Sequence, residues 1–270
     1  MLYQKNQTPQ LEDELFRNPG CEYRATPFWA WSGKLDGDTL CRQIEMLKTM
    51  GMGGFHMHVR TGMDSPYMDE EFMGHIRTCV EKAKSDNMLA WLYDEDRWPS
   101  GTAGGKVTDG HPERVRKFLL FTCTPYAPDR PHRARGPEPE RGQNTMRQDN
   151  GELLAVYDVR LDEHGRLLGA DRIAEDASAQ GRKWYAYMES ASDDPWFNNH
   201  PYVDTLSPEA IAAFIRQTHE KYASAFQADF GGVIPAILRM NSSYAQADAE
   251  LCAGGARCVP ALDAGAAGNL

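Results

Sequence analysis

Between Phe28 and Tyr93 the sequence alternates short apolar runs with stretches whose apolar residues recur every three or four positions, and few architectures accept that rhythm. Phe28 to Trp31 is an aromatic-rich strand, and Gly33 to Gly37 is a turn that delivers the chain to Asp38 and a helix. Leu40, Ile44 and Leu47 give that helix one apolar face, and Gly51 and Gly53 end it. Gly54 to Val59 (GFHMHV) reads as a second strand. Phe72, Ile76, Val80 and Ala83 then mark a second helix, with Asp69, Glu70 and Glu71 crowding its positive N-terminal end. Met88 to Tyr93 (MLAWLY) is a third strand. Strand, helix, strand, helix, strand with short joints implies parallel strands joined by right-handed crossovers, because such a sheet has to be covered by helices.

From Val107 to Gly181 the rhythm breaks. Val115 to Thr122 and Leu153 to Leu161 read as strands, and Asp162-Glu-His-Gly165 turns the second into Arg166 to Ile173, a hairpin signal. Pro131 to Arg147 is rich in proline, glycine and charge, hence a loop. The α/β rhythm is expected to resume with a strand at Lys183 to Met188 ending at Glu189. A helix follows, capped by Ser207 with Pro208 in its first turn and with Ile211, Phe214, Thr218, Tyr222 and Phe226 on its buried side. Val233 to Leu238 is one more strand. The expected fold class is α/β, a partial (β/α)8 TIM-like barrel with an antiparallel β insertion. Its divisions are 1-106 for the first units, 107-182 for the insertion, 183-238 for further β/α units and 239-270 for an aberrant tail.

Composition narrows the function. The chain has 270 residues, of which 41% are hydrophobic, enough for a sizeable core, and its net charge of -10 opposes nonspecific nucleic-acid binding. No uncharged span approaches the length of a membrane helix, and the first residues lack the pattern of a secretory signal. The chain as written reads as soluble and cytoplasmic, with a periplasmic or secreted location if a signal has been removed. Six cysteines without close pairing imply neither a zinc knuckle nor a disulfide framework, and most are expected to be reduced and buried. No cofactor is implied, and the oligomeric state is not legible.

Each expected strand carries polar residues at its carboxyl end, where parallel α/β folds bind ligands. His56, His58 and Arg60 share one face of strand two, since side chains alternate with period two. They can hydrogen-bond sugar hydroxyls, or His56 and His58 can begin a metal site. At strand three Asp94 and Asp96 face alike while Glu95 faces away, so the three acids cannot all contact one ligand. Asp94, Glu95 and Arg97 are candidates for charge-assisted bonds to hydroxyls, and Trp98 for a flat surface under the C–H face of a sugar. Ser100 to Gly105 lacks the spacing of a phosphate loop. After strand four, Glu189 is followed by Asp193, Asp194, Trp196, Asn198, Asn199, Tyr202 and Asp204, a mix of carboxylates, amides and aromatics that suits a polyhydroxylated ligand.

The segments PFWAWSGKL, GGFHMHVRTG, LYDEDRWPSGTAGG, YVDTLSPEAIAAFIRQTHEKY and FGGVIPAIL resemble the N-terminal part of the catalytic domain in bacterial glycoside hydrolases similar to family 106 α-L-rhamnosidases or family 2-type enzymes. The resemblance spans about residues 22 to 238, and its most specific part is the tryptophan-proline-serine-glycine segment. It implies a (β/α)8 barrel that cleaves terminal sugars, with an oligosaccharide or glycoside as substrate and no nucleic-acid or membrane partner. It also implies that the last strand runs on into Thr-Asp-Glu-Pro, whose glutamate is a catalytic acid. The chain reads Leu238-Arg239-Met240-Asn241 instead. Codons CGG-ATG-AAC for Arg-Met-Asn, read one base earlier in phase, give Thr-Asp-Glu when the preceding base is A. From Ala253 to Leu270 the chain is rich in alanine and glycine and loses the strand-helix rhythm, as out-of-phase translation of a GC-rich gene would. The expected acid is therefore lost near Arg239. Glu189 is the catalytic candidate that remains, with His56, His58, Arg60, Asp94, Glu95, Arg97, Trp98, Trp196, Asn198, Tyr202 and Asp204 as substrate ligands. A fragment of this kind is expected to lack glycosidase activity. The alternatives are a metal-dependent barrel hydrolase built on His56, His58 and Asp94 with a later histidine, and a noncatalytic carbohydrate-binding protein.

Overall fold

Helices that return the chain between parallel strands need a start, a stop and one apolar face, and the computed structural model shows how the sequence supplies each. It describes residues 9–10, 12–126 and 147–240, together with the backbone of 257–260. The elements in chain order are α1 (Asp13–Arg17), β1 (Phe28–Gly33), α2 (Gly37–Thr49), β2 (Gly54–Met63), α3 (Glu70–Asp86), β3 (Leu89–Tyr93), β4 (Lys117–Thr122), β5 (Glu152–Leu161), β6 (Leu167–Ile173), β7 (Arg182–Ser190), α4 (Pro208–Gln217), α5 (His219–Phe226), β8 (Ile237–Leu238) and β9 (Arg257–Pro260). The chain divides into two compact units, Met1–Val107 with Ile211–Ser242 and Thr108–Ala210 with Ser243–Leu270.

The first unit holds a parallel sheet in the order β1-β2-β3-β8. The Asp36 carboxylate accepts the Thr39 N–H at 2.9 Å and the Asp69 carboxylate accepts the Phe72 N–H at 2.8 Å, so each acid satisfies an N–H that has no partner within its helix. Asn87 stops α3 in the left-handed region at φ 54. One sheet face meets the helices. Trp29 packs edge-on against Phe55, and Trp31 against Phe72 of α3, while Ile44, Ile76, Cys79, Val80 and Ala83 are fully buried. The architecture is an α/β fold consistent with a partial Rossmann-like or TIM-like arrangement.

Two sequence expectations change here. The single helix over 208–226 is two, because the backbone at Thr218 turns out of helical geometry while its hydroxyl donates to the Phe214 carbonyl at 2.8 Å. The strand expected from Val233 shrinks to Ile237–Leu238, although Ala90 N–H still donates to the Val233 carbonyl at 2.8 Å. Pro235 has no N–H to continue a ladder.

The second unit holds a sheet in the order β6-β5-β7-β4-β9, with every pairing antiparallel. The β5-β6 hairpin turns at Asp162 and Gly165 as the sequence predicts, with Asp162 accepting the His164 and Arg166 N–H groups. Lys183 to Met188 is a strand, but not one of the parallel sheet: it lies in β7, between β4 and β5. A short apolar run satisfies either kind of sheet, and the partner that captures it lies far along the chain. The expectation that cysteines are mostly buried holds for Cys79, whereas Cys21, Cys41 and Cys123 are half-buried free thiols. No helix among the described residues is long and apolar enough to cross a membrane. Apart from the backbone of β9, the expected aberrant tail from Asn241 onward lies outside the described residues.

Candidate functional site

The acids that follow β3 go separate ways, and the segment Asp94 to Gly105 is organised around that separation. Glu95 is fully buried. Its Oε2 accepts the backbone N–H groups of Gly101, Thr102 and Ala103 at 2.7, 2.7 and 2.9 Å. Its Oε1 accepts those of Asp96 and Gly104 at 2.8 and 2.9 Å and the Thr102 hydroxyl at 3.1 Å. Burial pushes this carboxyl up, and the N–H donors oppose that by favouring the anion. Gly104 is needed where it stands: its φ is +64, and a Cβ there would come within 3.2 Å of Asp96 and 3.3 Å of Tyr67. Glu95 is thus the internal anchor of the glycine-rich loop, with the loop's own donors on both of its oxygens.

Asp94 takes the other direction. It is fully buried, and its Oδ1 accepts the Ser100 hydroxyl at 2.6 Å. His219 Nε2, at the start of α5, lies 3.5 Å from Oδ2. Burial pushes the Asp94 carboxyl up to about 7, partly opposed by Ser100. Burial, then the Arg239 guanidinium, pulls the His219 imidazole below its usual range. Ser100, Gly101, Ile211, Phe214, Ile215, His219 and Arg239 line a cavity of about 280 Å³. Two side chains that touch Asp94, Ser100 and His219, therefore stand on its wall beside an apolar surface.

The remaining strand-end candidates of this unit form a second cluster. His56 stacks on Trp91 with ring centroids 5.0 Å apart, and His58 on Tyr93 at 4.2 Å, with Phe28 tilted against both imidazoles. Burial lowers His56, and burial followed by Arg60 lowers His58 to about 4, so both rings act as neutral aromatic surface. The shared face predicted for the two histidines is present. Arg60, the third of that set, is exposed. Arg97 folds back on the strand ends, donating to the Asp96 carboxylate at 3.0 Å and the Arg60 carbonyl at 3.3 Å. Trp98 is 40% exposed. Among the described residues no three His, Cys, Asp or Glu side chains are grouped to hold a metal ion, so His56, His58 and Asp94 do not form the alternative metal centre.

Glu189, Trp196, Asn198, Tyr202 and Asp204 belong to the second unit. Glu189 is a fully buried residue of β7, where it accepts the Tyr126 hydroxyl at 2.7 Å and the Gln148 and Asp149 N–H groups at 3.0 and 2.8 Å. It does not end a parallel strand, which removes the geometric reason for naming it catalytic. Tyr202 is buried, packed on Phe197 at 4.7 Å and covered by the Arg116 guanidinium at 4.1 Å. Asp204 accepts the Leu206 N–H at 3.0 Å, and Asn198 sits in the left-handed region that ends the turn Pro195–Phe197. Trp196 is 40% exposed.

His219 and Ser100 are the contacts of Asp94 that sequence reasoning missed. His219 falls within a predicted helix, and only the break at Thr218 and the packing of α5 bring it to β3. Ser100 lies in the motif already singled out, but nothing in its spacing tells that its hydroxyl would turn to Asp94.

No family model matches the chain, and no curated protein matches it. Among solved structures, the chain is similar to the rhamnosidase from Novosphingobium sp. PP1Y, at 19% identity and a TM-score of 0.32, over 40% of this chain and 11% of that one. The likeness is weak and partial, and the chain spans about 11% of the length of that enzyme.

Proposed function

We propose that this chain carries part of the sugar-binding wall of a glycoside hydrolase acting on terminal sugars of glycans. One observation carries the proposal: Asp94, buried at the carboxyl end of β3, accepts the Ser100 hydroxyl and lies beside His219, and both of these side chains line a cavity with an apolar wall. Polyhydroxylated ligands need directional polar groups beside apolar surface, and that pairing is present here. Glycoside hydrolysis also calls for a carboxyl that keeps its proton near neutral pH, and Asp94 is pushed up to about 7. Trp98 supplies an exposed ring for stacking. The motif resemblance over about residues 22 to 238 adds the reaction class. The chain as it stands binds without turnover in this reading, because Arg239-Met240 occupies the place of the expected acid.

The test pairs binding with turnover on the full chain. Monosaccharides, L-rhamnose among them, are titrated by ligand-observed NMR, and aryl glycosides are assayed for release of the aryl alcohol. Saturable binding that Trp98→Ala weakens, without turnover, supports the proposal. Absence of binding to every sugar refutes it, and turnover refutes the loss of the acid.

A further inference from the structure

The contact between Asp94 and His219 has room for one proton, and the neighbouring hydroxyls determine where it can be. On the carboxyl side, Oδ1 accepts the Ser100 hydroxyl, and Ser100 Oγ in turn accepts the Met240 N–H at 3.1 Å. Oδ2 is buried and has no hydrogen-bond partner among the described residues, with His219 Nε2 at 3.5 Å. On the imidazole side, Nδ1 lies 2.9 Å from Thr218 Oγ1. That hydroxyl donates its one hydrogen to the Phe214 carbonyl. Towards Nδ1 it can only accept, so Nδ1 carries the ring N–H. In a neutral ring Nε2 is then a bare lone pair facing a buried carboxyl oxygen. Two lone pairs repel, and the contact becomes attractive only when a proton sits on one of the two atoms.

We propose that Asp94 and His219 hold one proton in common at neutral pH, between Oδ2 and Nε2, with Thr218 fixing the tautomer that makes this possible. Thr218 and His219 are positioning residues that act through Asp94, and the pair is a proton store adjoining the cavity lined by Ser100 and His219. The 3.5 Å separation closes by a few tenths of an ångström to reach hydrogen-bond length. The charges and hydroxyls facing the pair come from several elements. Glu95 follows β3 and Arg239 follows β8, while Tyr93, Tyr67 and Tyr222 surround the carboxyl. The Phe214 ring meets the imidazole edge-on at 5.7 Å. Burial raises Asp94 and lowers His219, and both directions place the proton on the carboxyl, which donates to Nε2. This inference stands on the geometry of one unit and not on the carbohydrate reading.

Two-bond ¹H–¹⁵N correlation of the histidine side chains in the full chain reads the tautomer directly. The expected result is a His219 ring protonated at Nδ1 from about pH 5 to about pH 7, with Nε2 showing the intermediate shift of a hydrogen-bond acceptor while Asp94 keeps its proton. Thr218→Val keeps the branched side chain but removes the acceptor, and it should lower the Nδ1–H population. Asp94→Asn should move the His219 titration, because the coupled pair loses its shared proton. An Nε2–H tautomer in the unmodified chain overturns the proposal. So does an independent titration near the ordinary 6.5 that Asp94→Asn leaves unchanged. The tautomer reading needs no variant, so a failure of Asp94→Asn to fold would not protect the proposal.

Discussion

Replacing Glu95 by glutamine tests whether the glycine-rich loop is built around a carboxylate. The Oε2 position serves three N–H donors, and the Oε1 position serves two N–H donors and a hydroxyl. A glutamine has one carbonyl oxygen, which is best placed at the Oε2 position. Its NH₂ then faces the N–H groups of Asp96 and Gly104, while the Thr102 hydroxyl can turn to accept. Two buried donors without acceptors cost about 1 to 3 kcal/mol each, so the total is about 2 to 6 kcal/mol. The flipped amide is worse, because it strands three donors. Loss of the negative charge weakens the surviving bonds as well. Against a typical stability of about 5 to 15 kcal/mol, release of the loop is the cheaper response, which places the observed cost toward the lower end of that range. Urea unfolding of wild type and Glu95→Gln, followed by amide exchange at Gly101 to Gly104, measures both outcomes. The variant should unfold at lower urea, and those amides should exchange about thirtyfold faster or more, since about 1.4 kcal/mol corresponds to one decade. A variant within about 1 kcal/mol of wild type, with unchanged exchange in the loop, would refute the reasoning.

Three further outcomes follow from the same geometry. Asp94 has a folded pKa of about 7, above its ordinary 3.8, so its contribution to stability is complete below about pH 4 and lost as pH rises through about 7. Integrated over that shift the loss is roughly 4 kcal/mol as an upper bound, and Asp94→Asn should flatten the slope in urea unfolding between acid and mildly alkaline pH. Glu189→Gln should lower the unfolding free energy of the antiparallel unit by about 1 to 3 kcal/mol, because it withdraws an acceptor from Tyr126, Gln148 or Asp149. Sugar binding that persists in that variant is the expected companion result. Gly104→Ala should destabilise the loop by about 1 to 3 kcal/mol, since it combines a left-handed φ with a 3.2 Å approach to Asp96, and a thermal melt unchanged from wild type would count against it.

The sequence by itself determined the parallel half of the fold and the place where its polar residues gather. Periodicity is a local property, so β1, α2, β2, α3 and β3 were legible from Leu40, Ile44, Phe72, Ile76 and their spacing, and the hairpin at Asp162 to Gly165 was legible from its turn residues. The alternation of strand side chains also put His56 and His58 on one face, and it separated Glu95 from Asp94. Tertiary structure alone decided what those residues meet. Lys183 to Met188 satisfies a parallel or an antiparallel neighbour equally well, and it pairs with β4 and β5 because distant segments present the matching edges. Glu95 reads as a substrate ligand until the loop closes over it and supplies five N–H donors. His219 reads as a helix residue until the chain breaks at Thr218 and packing brings its ring to Asp94. Spacing reports which face a side chain occupies, whereas burial, proton position and hydrogen-bond partners depend on residues remote in the chain, and those exist as neighbours only after folding.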